Sequence, residues 1–282
     1  MDYFSDEIIA YKGLLQGDLF KINNKGDSPF LSYENYAVLI TADCDLANPS
    51  KNVNYYTFLP IISSSSYIEK IWIPEYLEKK VKNKSNELSE YILKNKIHEL
   101  NGCNPISGIE LYNWIKESGI YDIVTSLELN KEEPKIKNTI KILELIECDK
   151  KNDIYFKINE IENNNSKKIS SDLRSAISQS KEEFYILPLI DKMYDSPSVI
   201  TLRMIRPIHK SYVFTNEIDA RQSNFNTKTN LVRIGRFSDY LRYSISQRFA
   251  YLFSRIGMPE DFEVDVDESI NIFVDEFKDY KK

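Results

Sequence analysis

Chemically reactive residues are scarce in this chain, and the scarcity sets the first limits. Its 282 residues include three cysteines, Cys44, Cys103 and Cys148, and two histidines, His98 and His209. An odd cysteine count without metal-type spacing argues against a disulfide framework and a structural zinc site. No apolar run approaches the roughly 20 residues that cross a bilayer. Met1 to Ile9 is acidic and short of apolar residues, unlike a secretory leader. A cytoplasmic protein without membrane association is therefore expected. No complete catalytic motif is present, so whether the chain is an enzyme stays open. Arginine is rare outside one region: there are 28 lysines but nine arginines, and eight of the nine lie between Arg203 and Arg255.

What is present supports a folded body. Hydrophobic residues make up 42% of the chain, enough for the core of one large domain or two intimate ones. Ala37 to Thr41 and Tyr55 to Leu59 are rich in β-branched and aromatic residues and bounded by Asn, Asp and Pro, as buried strands are. Between them a polar loop opens with Asp43-Cys44-Asp45. Leu14 to Ile22 reads as an earlier strand, and Asn23 to Ser32 as a turn region. Three short strands joined by loops open a small barrel over residues 1–63.

The order Gly17-Asp18-Leu19, a long loop, Val38-Leu39-Ile40, then Phe58-Leu59-Pro60-Ile61-Ile62-Ser63 resembles that of MazF/PemK-like toxin endoribonucleases. The resemblance implies an SH3-like barrel. It does not extend to that family's ribonuclease site: the arginine expected before the second strand is missing from Asp27 to Asn35, and Ile62-Ser63 stands where the family has a Thr-Ser pair.

Residues 64–135 read as helical. Pro74 suits a first helical turn, and Leu88, Tyr91, Ile92, Asn95 and Glu99 trace a helix from Asn86 to Leu100, closed by Asn101-Gly102. Ile109 to Glu117 forms a second helix ended by Ser118-Gly119. Residues 136–282 read as a mixed part, packed with the rest as one compact body, so the fold class is α+β. Within it, Thr139 to Glu162 alternates apolar and polar residues around Asp149 to Asp153. That pattern predicts a hairpin, with a helix as the competing reading of its first half. Ser170 to Ser180 is a short helix. Phe184 to Ile190 repeats the form of Tyr56 to Ile62, which we read as coincidence.

The arginine-rich region ends in the clearest helix of the sequence. Ser238 is its N-cap, Asp239 complements the dipole and Gly257-Met258-Pro259 supplies the stop. Leu241, Ile245, Phe249, Leu252, Phe253 and Ile256 form one stripe. The opposite face, with Tyr243, Gln247, Ala250, Tyr251 and Ser254, carries no charge, which predicts that the helix Asp239 to Ile256 is covered on both faces, by the acidic C-terminal segment or by a protein partner. That segment, Glu260 to Lys282, has nine acidic residues against three lysines. Ile270, Phe273, Val274 and Phe277 mark an amphipathic helix there, and Phe262, Val264 and Val266 alternate as in a strand. Together with Asp43-Cys44-Asp45-Leu46, the run from Arg233 to Pro259 resembles a functionally uncharacterised group of bacterial proteins, which implies no activity.

Three functions follow. Guanidinium groups bind phosphate at two points, so the leading expectation is a cytosolic bacterial protein that engages nucleic acid or another phosphate-bearing ligand through Arg233, Arg236, Arg242, Arg248 and Arg255. The barrel resemblance adds a toxin or phage-defence setting. The competing reading of these arginines is that they pair with internal carboxylates. The second function is a metal-dependent nuclease in which Asp18, Asp43 and Asp45 hold a divalent cation; aspartates that cap the loop are the alternative, and no other cofactor is expected. A non-catalytic protein-interaction subunit is the third.

Overall fold

A computed structural model describes residues 4–5, 13–25, 27–102, 104–148, 153–190, 193–223, 228–254 and 260–279. In chain order the elements are β1 (Phe4–Ser5), β2 (Asp18–Asn23), β3 (Tyr36–Leu39), α1 (Asp43–Leu46), β4 (Tyr55–Ser63) and α2 (Ser64–Tyr67). The long helices α3 (Ile73–Lys94) and α5 (Gly108–Ser126) flank the short α4 (Ile97–Leu100), and α6 (Lys137–Cys148), α7 (Ile154–Ile161) and α8 (Ser166–Ser178) follow. The chain returns to strands in β5 (Phe184–Leu187), β6 (Ser198–Thr201), β7 (Arg206–His209) and β8 (Val213–Phe214), then runs through α9 (Glu217–Gln222), β9 (Asn230–Phe237), α10 (Asp239–Ser254) and α11 (Glu260–Asp279). The fold class is α+β.

The chain divides into two units. The first comprises Met1–Pro60, Glu182–Tyr185 and Thr201–Lys282. Its sheet runs β1-β9-β2-β3-β4, with β7 paired to β4 and β8 to β9; the β8–β9 pairing is parallel and the registered others are antiparallel. Strands from both ends of the chain are thus interleaved, with β9 between β1 and β2, and the sheet is not confined to the first 63 residues. Phe20, Ile22, Phe30, Ala37, Leu39, Phe58, Ile208 and Leu231 form its buried core, with the rings of Phe20 and Phe58 edge to face at 5.2 Å. Each side chain of that size contributes about 1.5–3 kcal/mol by leaving water. The predicted first strand starts later than Leu14. Gly17, at φ +89°, reverses the backbone, and Asp18 N–H donates to the Leu15 carbonyl, so Leu14 to Gly17 is a turn that delivers the chain into β2.

The second unit comprises Ile61–Lys181 and Ile186–Ile200. Ile61 to Ser63 of β4 pair with Ile200 to Ser198 of β6, β5 lies beside β6, and helices α2 to α8 make up most of the rest. Pro74 sits in the first turn of α3, as expected, but that helix begins well before Asn86 and ends at Lys94, two residues short of Lys96 at φ 55°. The predicted stop at Gly119 is a kink: its φ of 83° and ψ of 167° break the helical path, yet a second helical stretch continues to Ser126. The expected hairpin over Thr139 to Glu162 is two helices, α6 and α7. The strand-like alternation arises because α6 packs on two sides, placing Ile140 and Leu143 in one core cluster and Ile142 in another, with Ile146 touching both. A helix apolar on opposite faces loses the single stripe by which helices are recognised. The terminal helix likewise extends back to Glu260, so the strand-like alternation at Phe262, Val264 and Val266 is helical.

Candidate functional site

The arginines of β9 and α10 converge on the turn from Gly13 to Gly17. Along an ordinary strand, Arg233 and Arg236 would point to opposite faces, because side chains alternate. A register shift between Leu19 and Phe20 pairs Phe20 with Arg233 and Leu19 with Gly235, leaving Ile234 as the extra residue of a bulge. Both guanidinium groups therefore reach one carboxylate. Arg233 Nη1 and Arg236 Nη2 each donate to Asp18 Oδ2 at 3.2 Å, Arg236 Nε donates to Oδ1, and both arginines also donate to the Gly13 carbonyl at 3.3 Å. Asp18 Oδ2 accepts a further hydrogen bond from Leu15 N–H at 3.0 Å. Asp18 is 0% exposed and Arg233 4%, while Arg236 keeps a quarter of its side chain in solvent.

A second clasp holds the same turn. Asp43 opens α1; its Oδ1 accepts from Gln16 N–H at 2.7 Å, and its Oδ2 from Arg242 Nη1 at 3.2 Å. Arg242 also donates to the Gln16 carbonyl, lies 3.0 Å from Asp239 and stacks over the Tyr243 ring at 4.7 Å. Its aliphatic stem crosses Gly17 so closely that a Cβ there would sit 2.7 Å from the Arg242 Cβ. The expected polar loop at Asp43-Cys44-Asp45 is a single helical turn, and both aspartates fall at its N-terminus, where the helix dipole favours negative charge.

The three aspartates read as metal ligands are thus engaged by separate cations: Asp18 by Arg233 and Arg236, Asp43 by Arg242, and Asp45 by Lys51. A hydrogen bond from Lys51, then its charge, holds the Asp45 carboxyl below the usual carboxylate range. Among the described residues no group of three His, Cys, Asp or Glu side chains is placed to hold a metal ion. Cys44 is an exposed free thiol, 3.7 Å from Asp45 Oδ1.

Three other arginines follow the same rule. Arg206 reaches the buried Glu34 at 3.2 Å, Arg203 pairs with Glu183 at 2.9 Å, and Arg221 with Glu217 at 2.8 Å. Arg248 is half-buried with no carboxylate partner among the described residues, and Arg255 lies outside them. Among the described residues, Arg233, Arg236 and Arg242 face Asp18, Asp43 and Asp239, three charges against three. Sequence reading found these arginines but not Glu34 or the backbone of the Gly13 to Gly17 turn; no local signal marks a carboxylate partner so distant in the chain.

The exposed surface has another character. Leu241, Ile245 and Leu252 of α10 are buried, whereas Tyr240 is 74% and Tyr243 58% exposed, with Gln247, Ala250 and Tyr251 on the same open side. The described side chains of α11, from Val264 to Val274, are all exposed, including Ile270 at 53% and Phe273 at 62%. The expected burial of that acidic segment does not occur over this stretch. No helix among the described residues is long and apolar enough to cross a membrane. No protein-family model, curated protein or solved structure matches the chain.

Proposed function

We propose that the chain is a non-catalytic protein-interaction subunit whose terminal helix α11 seats in an apolar groove, edged with basic residues, on a partner protein. The supporting observation is the exposed stripe of Val266, Ile270, Phe273 and Val274. These positions recur at helical spacing, and Phe262 and Phe277 extend the same spacing in the sequence. An apolar stripe left in water invites association. The charge selects the occupant. Glu260–Asp279 carries nine carboxylates and one lysine, so a second copy of this helix, a nucleic acid or an anionic lipid surface would all meet repulsion. The matched charges around Asp18 and Asp43 support this reading over phosphate binding, which needs cations that are not already neutralised.

A photo-crosslinker placed at Ile272 of the full chain in its native host cells should trap a different protein at this helix. With that protein purified, Phe273→Ala should weaken the complex by about 30-fold, as central aromatic anchors do, and raised salt should weaken it further. Crosslinks to a second copy, or a partner whose affinity ignores both changes, would overturn the proposal. So would retention of the wild-type chain on nucleic acid at low salt that disappears in Arg248→Ala, since that result would restore the polyanion reading.

A further inference from the structure

Arg174 of α8 is the one arginine outside the stretch from Arg203 to Arg255, in a chain with 28 lysines. It is exposed, and among the described residues it meets no carboxylate. Other helical cations of the chain carry their counter-ion one turn away: Arg221 pairs with Glu217, Lys157 with Asp153 and Lys84 with Glu87. Around Arg174 those places are filled by hydroxyls, with Ser170 four residues back, Ser171 three back and Ser178 four ahead. Asp172, the single carboxylate of α8, stands two residues from Arg174 and therefore on another side of the helix. It is half-buried, and its charge bears on the phenols of Tyr76 and Tyr155.

Ser166, Lys167, Ser170, Ser171 and Arg174 line one recess of about 450 Å³ on the second unit. All five are exposed, and Lys167 likewise meets no carboxylate among the described residues. The three hydroxyls make no hydrogen bond to another described residue. Helical geometry sets the arrangement: at about 100° per residue, Lys167 and Arg174 fall within about 20° of each other and about 10.5 Å apart along the axis. Ser170 and Ser171 stand at intermediate heights on either side of that line. The two cations therefore approach one point from its two ends instead of tracking an extended chain. An ammonium supplies charge, whereas a guanidinium supplies a planar fork that takes two oxygens of one group. The hydroxyls add donors for the oxygens left over. This set suits a group with three terminal oxygens and two negative charges better than a carboxylate, which offers two oxygens and one charge.

We propose that this face of α8 binds the terminal phosphate of a small phosphomonoester, with Arg174 taking two oxygens, Lys167 supplying charge, and Ser170 and Ser171 donating to the third oxygen. The test titrates the full chain at about 0.15 M salt, where loose surface attraction is screened, and follows the backbone amides of α8 by NMR. Three probes are compared: phenyl phosphate, a dianion above its second pKa of about 6; methyl phenyl phosphate, the singly charged diester; and benzoate. Phenyl phosphate should shift the amides from Ser166 to Arg174 along a saturable curve, and the other two should bind about tenfold more weakly. Arg174→Ala should weaken phenyl phosphate by about tenfold or more, the worth of a charge-assisted hydrogen bond. Arg174→Lys, which keeps the charge and loses the fork, should weaken it about three- to fivefold. Ser170→Ala combined with Ser171→Ala should weaken it about fivefold. These positions are exposed, so the variants should melt with the wild type. Arg248→Ala, in the first unit, should leave the affinity unchanged. Five results would each overturn the proposal: no saturable shift at millimolar phenyl phosphate, equal affinity for benzoate, unaltered binding in Arg174→Ala, full affinity in Arg174→Lys, which would reduce the site to non-specific charge, or a loss in Arg248→Ala, which would place the phosphate on the first unit.

Discussion

Asp18→Ala should lower the free energy of unfolding by about 3–5 kcal/mol, the usual consequence of removing one partner from a buried ion pair. The loss is large because Asp18 is fully buried, serves two guanidinium groups and also accepts the Leu15 N–H. Removing it takes from Arg233, which is 4% exposed, the buried carboxylate that its Nη1 reaches at 3.2 Å. Arg236→Ala should cost less, about 1.5–3 kcal/mol, because Arg233 still neutralises Asp18 and Arg236 is partly solvated. Asp18→Asn, which keeps an acceptor oxygen, should fall between them and serves as the reference if the alanine variant does not fold. Urea denaturation with and without chelator measures all three. The same losses in both conditions are expected. An Asp18→Ala loss below about 1 kcal/mol would show that the pairing carries little stability, and a loss that chelator erases would restore the metal reading.

The second large effect is expected at the kink in α5. Gly119, at φ 83° and ψ 167°, occupies backbone space that residues with a Cβ avoid, so Gly119→Ala should destabilise by about 1–3 kcal/mol through the backbone alone. The kink frees Ile120 N–H from the helical ladder, and the Glu147 carboxylate of α6 accepts it at 2.9 Å. An added Cβ would lie 2.2 Å from Glu147 Oε1, so the exposed carboxylate must swing away and surrender that bond, a further cost of about 1 kcal/mol. Thermal unfolding of a double-mutant cycle separates the two contributions. In a Glu147→Ala background, Gly119→Ala should cost less than in wild type. An unchanged cost would mean that the carboxylate is not coupled to the glycine.

Local chemistry made some elements legible and hid others. β3 and β4 stood out because apolar residues are bounded by polar turns, and α10 begins directly after Ser238 as its capping pattern predicts. Pro74 marked a first helical turn for the same local reason. The position of β9 was invisible: its partners at Asp18 to Asn23 lie about two hundred residues away, and no periodicity encodes a pairing at that distance. The bulge that turns Arg233 toward Asp18 depends on that pairing and was hidden with it. The helices α6 and α7 were hidden because their apolar pattern imitates alternating strands. The choice of guanidinium over ammonium was legible as a compositional anomaly, but its use in clasping a turn needed the partners, which only the fold supplies.

The interleaving of β9 between β1 and β2 has a consequence for how the chain is made. A ribosome delivers β2 and β3 early and β9 some two hundred residues later, so the first unit's sheet stays open through most of synthesis. The second unit, Ile61–Lys181 with Ile186–Ile200, has its own core clusters, drawn from residues between Ile68 and Leu173. Sequence-local contacts form sooner than distant ones. The middle of the chain should therefore fold while both ends wait, with the unpaired edge of β2 exposed until Arg233 and Arg236 arrive to claim Asp18. A chain ended after Ile200 should then yield a protease-resistant fragment from about Ile61 onward and readily cleaved N-terminal strands; resistance of the strands instead would mean that the early sheet closes without its late member.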